Sequence, residues 1–352
     1  MRNIAKLKAQ FDAKRLAPHS PVAHTPARVF HRRMKHWPLL CILALGLTGT
    51  PLHAQHPVLC CDYGGDKVCI VSATGEIEWE VEAKHPQDCW RLLNGNILFA
   101  YVNGAKEMTK DKQVVWEYRQ DLKVTNHVSL KQKDGTIVEK DIEEGVECHG
   151  CQPLPNGNVL IVECGTSRII EVDRAGKIAK EIKLVTKPDI RLHNQFRGTR
   201  KTSDGHYLVC FKGEGKIVEL DGDGKVLREV KVPGDPHEVV QLPNKNLLIT
   251  CGDGHTVKEI NPSDKIVWEL NENDLPGNTL RLMAGCNRLP NGNTLFAVFL
   301  GHGHLGEQAQ VIEVTPDKKV VWEMKDHAHF KTINQIMALD VPGDVTKGEV
   351  LR

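Results

Sequence analysis

The sequence predicts an all-β fold: a six-bladed β-propeller of four-stranded antiparallel blades, closed by strands from both termini. Three repeated phrases carry this expectation. The first reads LLNGNILFA (92–100), LPNGNVLIV (154–162), TSDGHYLVC (202–210), LPNKNLLIT (242–250) and LPNGNTLFA (289–297). The second reads TGEIEWEV (74–81), DKQVVWEY (111–118), AGKIAKEI (175–182), DGKVLREV (223–230), SDKIVWEL (263–270) and DKKVVWEM (317–324). A third lies between them, as in RIIEVD (168–173), KIVELD (215–220), TVKEIN (256–261) and QVIEVT (310–315). Self-similarity at a fixed period is the signature of a repeat architecture.

Each phrase has a local physical meaning. Asn-Gly or Asp-Gly between two apolar runs marks a two-residue hairpin, because a type I′ turn needs positive φ at both central positions. VIEVTPDKKVVWEM alternates apolar and polar residues on either side of a polar turn, which reads as two strands. One unit is therefore strand a, an Asn-Gly turn, strand b, a loop, strand c, a polar turn and strand d. Four antiparallel strands every 40–50 residues or so make a propeller blade. The second phrase occurs six times, and the stretch 55–352 then allots about 50 residues to each blade.

The ends fit a closed ring. PVLCCDYGGDKVCIVSATGEIEWEV (57–81) reads as strands b, c and d with no strand a. INQIMALDVPGDVTKGEVLR (333–352) supplies that strand a, with EVLR expected at the seam. Closure removes open sheet edges, which otherwise invite aggregation. The segment 125–145 exceeds the blade period and is read as a hairpin inserted in a d–a loop, with a degenerate seventh blade as the alternative.

The chain begins differently. Met34-Lys35-His36, the apolar run WPLLCILALGL and then TGTPLHAQ have the three-part layout of a signal peptide ending at Ala54. The run falls short of the ~20 apolar residues that cross a bilayer. Residues 1–33 are read as a disordered basic extension or as a start placed upstream of Met34, residues 34–54 as the signal peptide, and 55–352 as the propeller. The expected location is periplasmic or secreted. Of 46 Lys/Arg and 45 Asp/Glu, nine and one precede residue 55, leaving 37 against 44. A mildly acidic domain without a basic stripe excludes nucleic acid as the expected partner. No membrane span is expected after cleavage, and the expected state is a monomer. Ten cysteines remain, most inside apolar runs, and are read mainly as buried thiols.

VSATGEIEW (71–79) and INPSDKIVW (260–268) resemble the repeat of PQQ-like, quinoprotein-type β-propellers, with its Asp-x-x-x-Gly-x-x-x-Trp pattern. The LPNGN hairpins are similar to those of secreted bacterial proteins of that class, over residues 58–352. The resemblance implies a propeller and specifies no activity. Quinone-using dehydrogenases of that superfamily often carry adjacent cysteines at the cofactor, as Cys60-Cys61 stand here, but they are built from more blades. PQQ and a divalent metal are cofactor alternatives, and neither has a defined ligand set in the sequence.

In a blade the a–b and c–d turns share one face, and the b–c and d–a loops share the other. The second set is long and rich in nitrogen bases, and long loops on a rigid scaffold are where binding groups collect. It places His149, His193, Arg197, His237, Arg281, His302, His304, His327 and Lys331 on one side as candidate ligand-binding residues. His149 and His237 occupy the same repeat column, seven positions before the turn Asn. Cationic and imidazole groups on an acidic protein point to a small anion, a glycan or a protein as ligand, because Arg makes planar two-pronged bonds to oxyanions. The alternative is an enzyme with a histidine at the axial cavity, similar to the bacterial arylsulfotransferases. No motif assigns the catalytic residue.

Overall fold

The computed structural model describes residues 56–352, Lys133 excepted. The expectations for residues 1–54 lie outside this range. Six four-stranded antiparallel sheets are present. Blade 1 combines the C-terminal strand Ile333–Ala338 with Val58–Asp62, Lys67–Val71 and Ile77–Glu82. Blade 2 spans residues 88–119, blade 3 148–183, blade 4 196–231, blade 5 236–270 and blade 6 282–324. The seam is therefore closed by both ends of the described chain. EVLR contributes a single bridge, Leu351 to Arg288, at the end of the first strand of blade 6.

Burial shows why each strand sits where it does. The first strand of a blade is inner and buried over most of its length, and at every position in Cys148–Pro153 and Ile333–Ala338. The fourth strand alternates, as in Val114–Arg119, because one of its faces meets solvent. Its tryptophans key one blade to the next. The indole N–H groups of Trp79, Trp116 and Trp268 donate to Lys110, Asp173 and Pro316 carbonyls in the c–d turn of the neighbouring blade, at 3.0, 2.9 and 2.8 Å. The ten cysteines of the described range are buried free thiols. The 125–145 excess is a two-stranded hairpin, Lys123–Lys131 with Ile137–Gly145, between blades 2 and 3.

The turns differ from the expected two-residue type. In LLNGN the N–H of Gly95 bonds to Leu92 O and that of Leu92 to Asn96 O, which closes a three-residue loop. Only the glycine has positive φ, 83° at Gly95, and the Asn side chain accepts from the N–H two residues on. This is a type I turn followed by a glycine bulge. Asn favours it because its side chain caps the turn.

Candidate anion-binding site

The site begins with a defect repeated in the inner strands. Ladder pairing skips His149 in blade 3, Arg197-Gly198 in blade 4, His237 in blade 5, Ala284-Gly285 in blade 6 and Asn334 in blade 1. In blade 2, Gln87 N–H and Asp88 both meet Ala100. A bulge leaves one residue unpaired and re-aims its side chain. Here it does so once per blade, at one level around the axis.

A cavity of about 450 Å³ opens at this level on the face of the b–c and d–a loops. Gln87, Arg197, His237 and Asn334 of the bulge ring line it. The b–c loops add Tyr63, Lys212, Asp253 and His302, the d–a loop adds His193, and Phe299 ends a strand at its wall. Beneath it the axis is closed by a paired network. Arg200 donates to Asp88 and Glu238 at 2.8 and 3.0 Å, Gln335 donates to Glu238 at 2.8 Å, and Arg352 reaches Asp88 at 3.1 Å while lying over Trp90.

Arg197 and Glu147 are joined through two imidazoles. Glu147 Oε2 lies 2.6 Å from His149 Nε2 and 2.7 Å from His193 Nδ1. Arg197 Nη1 lies against the His149 ring, meeting Nδ1 and 2.9 Å from Nε2, and Arg197 Nη2 donates to His193 Nε2 at 2.9 Å. One assignment of ring protons serves the carboxylate: each imidazole donates to Glu147, and His193 accepts from the guanidinium on its other nitrogen. The opposite tautomer of His149 would aim a lone pair at the carboxylate. Phe196 O, 2.8 Å from His149 Nδ1, then shares the hydrogens of Arg197 Nη1 and Cys164.

The electrostatics follow from burial and this network. Burial, with Arg197 alongside, lowers the His149 pKa to about 4. Burial alone would raise the Glu147 carboxyl, but the hydrogen bonds from His149 and His193 outweigh it and hold the group below the usual carboxylate range. His237 is pushed well below its ordinary value by burial and then by Arg197 and Lys212, so it is neutral. Arg197 is 4% exposed, and burial lowers its pKa. Among the described residues no carboxylate oxygen lies within 4.0 Å of its guanidinium, and its Nε–H has no partner.

Glu147, His149 and His193 also form a group whose ligand atoms lie within 4.8 Å of one another. A metal there would take the nitrogen lone pairs that face Glu147. The Nδ1 proton of His149 would then meet Phe196 O, while the Nε2 proton of His193 would face Arg197 Nη2, donor against donor. A metal there would therefore require Arg197 Nη2 to leave His193.

Of the nine sequence candidates, His193, Arg197, His237 and His302 line the cavity. His149 is buried behind Arg197. Four others are held by local partners outside the lining: Arg281 by Glu272 and Glu307, His304 by Glu307, His327 by Gln308 O, and Lys331 through its backbone N–H by Asp62. Cys60 and Cys61 are fully buried in blade 1 and away from the cavity. Glu147, Gln87, Lys212 and Asn334 have no cue as single residues. Aligning the inner strands would have found Gln87 and Asn334, which share the column of His149, Arg197 and His237.

Fold and site together define a six-bladed propeller with a polar axial pocket walled by Arg197, Lys212, three histidines and Asp253. The chain belongs to the Mal s 1 allergenic protein-like family, whose model matches residues 68–291. No curated protein matches it. Among solved structures it is similar to a Bacteroides caccae protein of unknown function, at 29% identity over 80% of this chain and 98% of that one, with a TM-score of 0.67. A streptogramin B lyase structure is 15% identical over 78% and 82%, TM-score 0.51. The virginiamycin B lyase of Staphylococcus aureus is 15% identical over 80% and 88%, TM-score 0.50. The two lyases share the fold alone. The quinoprotein-type resemblance likewise reaches as far as the propeller architecture. Among the described residues no helix is long and apolar enough to cross a membrane.

Proposed function

We propose that this protein is an exported propeller that binds a small anionic ligand in the axial cavity. Arg197 carries the reading: a buried guanidinium at the cavity wall, braced by two histidines, with no carboxylate in direct contact. Burying a charge without its counter-charge is costly. An arriving carboxylate, sulfate or phosphate supplies that counter-charge, free or borne on a glycan or a protein. Lys212, His193, His237 and His302 surround the same space. In this reading His149 positions Arg197 rather than touching the ligand.

Calorimetric titration with sulfate, phosphate and acetate tests the proposal. Wild type should bind at least one of them. Arg197→Met should weaken it by at least tenfold, the scale of one charge-assisted hydrogen bond. Arg197→Lys should keep part of the affinity and control for folding. Binding that survives Arg197→Met in a folded protein overturns the assignment. Export rests on residues 34–54, and N-terminal sequencing of secreted material should start at Gln55.

A second reading is an enzyme of the arylsulfotransferase type, and His237 favours it. Its ring is neutral, lines the cavity beside Arg197 and has no hydrogen-bond partner among the described residues. A nucleophilic histidine is usually oriented by a carboxylate; His237 has none among the described residues, His193 has one but its other nitrogen is occupied by Arg197, and His302, held by Asp253 at 3.2 Å, has a side chain 60% exposed to water. Binding is therefore the better-supported reading. Release of 4-nitrophenolate from 4-nitrophenyl sulfate that requires His237 would reverse the order.

A further inference from the structure

The cavity is two-sided, and its second side narrows the ligand class; the argument rests on the anion-binding reading above. Opposite the cationic groups the lining is apolar and aromatic, with Tyr63, Phe299 and Leu282. Phe299 meets Tyr63 edge to face at 5.8 Å between ring centroids, and meets His302 likewise at 5.8 Å. Tyr63 is stacked in turn on His85 at 4.6 Å. A continuous row of rings therefore runs along this wall. A bare oxyanion would leave that wall dry and unused, and a 450 Å³ cavity lies in the range that holds an organic molecule.

Asn334 adds an independent requirement. Its side chain is 4% exposed, and its Nδ2 donates to Pro86 O and Gln87 Oε1 at 3.1 and 3.0 Å. These two acceptors fix the amide orientation and leave Oδ1 buried with no partner. An unpaired buried acceptor calls for a donor. A fully ionised oxyanion offers none.

We propose that the ligand is a hydroxylated aromatic acid, with its anionic group on Arg197, its ring against Tyr63 and Phe299, and its hydroxyl available to Asn334 Oδ1. Neither half of the site is sufficient alone. The cation selects for charge, the ring row for a flat apolar body, and the orphan carbonyl for a polar substituent on that body.

Calorimetry with acetate, benzoate and the 2-, 3- and 4-hydroxybenzoates tests this on the full propeller. Benzoate should bind more tightly than acetate by about threefold to tenfold, the range of one aromatic pair. At least one hydroxybenzoate should bind more tightly still. Phe299→Leu keeps the apolar volume, and Phe299→Ala removes it. Both should reduce the preference for benzoate over acetate. If acetate or sulfate binds through Arg197 but no aromatic acid binds more tightly, this inference falls and the anion reading stands. If none of the anions binds, both fall.

Discussion

At the scale of single residues, charge is placed by imidazole. Glu147 and Arg197 never touch, yet each sets the other's surroundings through His149 and His193. The arrangement keeps the guanidinium in one orientation while leaving its charge unsatisfied. It also makes the protein sensitive to acid. The folded-state pKa of His149 is about 4, below its ordinary 6.5, because burial disfavours the charged ring. Above pH 6.5 both folded and unfolded states are neutral and the group has no effect on stability. As pH falls from 6.5 toward 4, the unfolded chain takes up a proton that the folded chain refuses, so stability is lost. The loss is on the order of 3 kcal/mol. Urea unfolding should show the stability advantage of wild type over His149→Gln shrinking by about this amount between pH 7 and 4. A constant gap would place the buried imidazole elsewhere. Arg200 gives a second residue-scale expectation. It is the shared donor to Asp88 and Glu238, so Arg200→Met should cost about 3–5 kcal/mol by stranding two buried carboxylates. Urea midpoints unchanged by the substitution would show that the network can rearrange.

At the scale of elements, the inner strand is the functional unit, and its bulge is what makes it so. Without the extra residue Arg197 and His237 would sit in a regular ladder. The bulge needs room, and glycine provides it on the next rung. A Cβ at Gly198 would lie 2.3 Å from Glu238 Oε1, and one at Gly285 would lie 1.8 Å from Gln335 Oε1. Glu238 cannot move aside cheaply, because Arg200 and Gln335 both hold it. Gly198→Ala should therefore destabilise the protein by about 1–3 kcal/mol, and it should weaken anion binding by shifting Arg197. Thermal unfolding and calorimetry check the two effects separately. The elements themselves were legible in the sequence. Alternation and Asn-Gly spacing depend only on neighbours along the chain, so the strands, the blade number and the inserted hairpin could be read. The bulges could not, because one skipped residue leaves alternation almost intact and shows only in cross-strand register. The turn type was missed for a related reason: Asn-Gly serves both the two-residue and the three-residue hairpin. Partners were least legible of all. Arg281, His304 and His327 look like His193 in sequence, but each is held by a group beside it that only the folded loop brings near.

At the scale of the whole molecule, closure of the ring governs stability. The seam between blades 1 and 6 carries its own ionic clasp. His56 lies 2.8 Å from Asp340 and 3.1 Å from Glu313, and Leu339 N–H bonds to Pro57 O next to it. The bond to Glu313, opposed by burial and aided by Asp340, raises the His56 pKa to about 9. The sign is opposite to that of His149. The clasp is fully engaged below pH 6.5, where both folded and unfolded chains are protonated. Its contribution is lost as pH rises through 9. The thermal midpoint of wild type should exceed that of His56→Gln at pH 6, and the difference should fade by pH 10. A difference that persists at pH 10 would assign His56 a packing role instead. On the opposite face of the disc residues 345–352 run inward to the axis. Arg352 is 3% exposed, held by Asp88 and stacked on Trp90 at the axis. A label placed beside Arg352 would have to displace the arginine from the hub. The tip of the 123–145 hairpin, at Asp134-Gly135, is the safer anchor for immobilisation or labelling, since both residues are exposed on a hairpin outside the six blades.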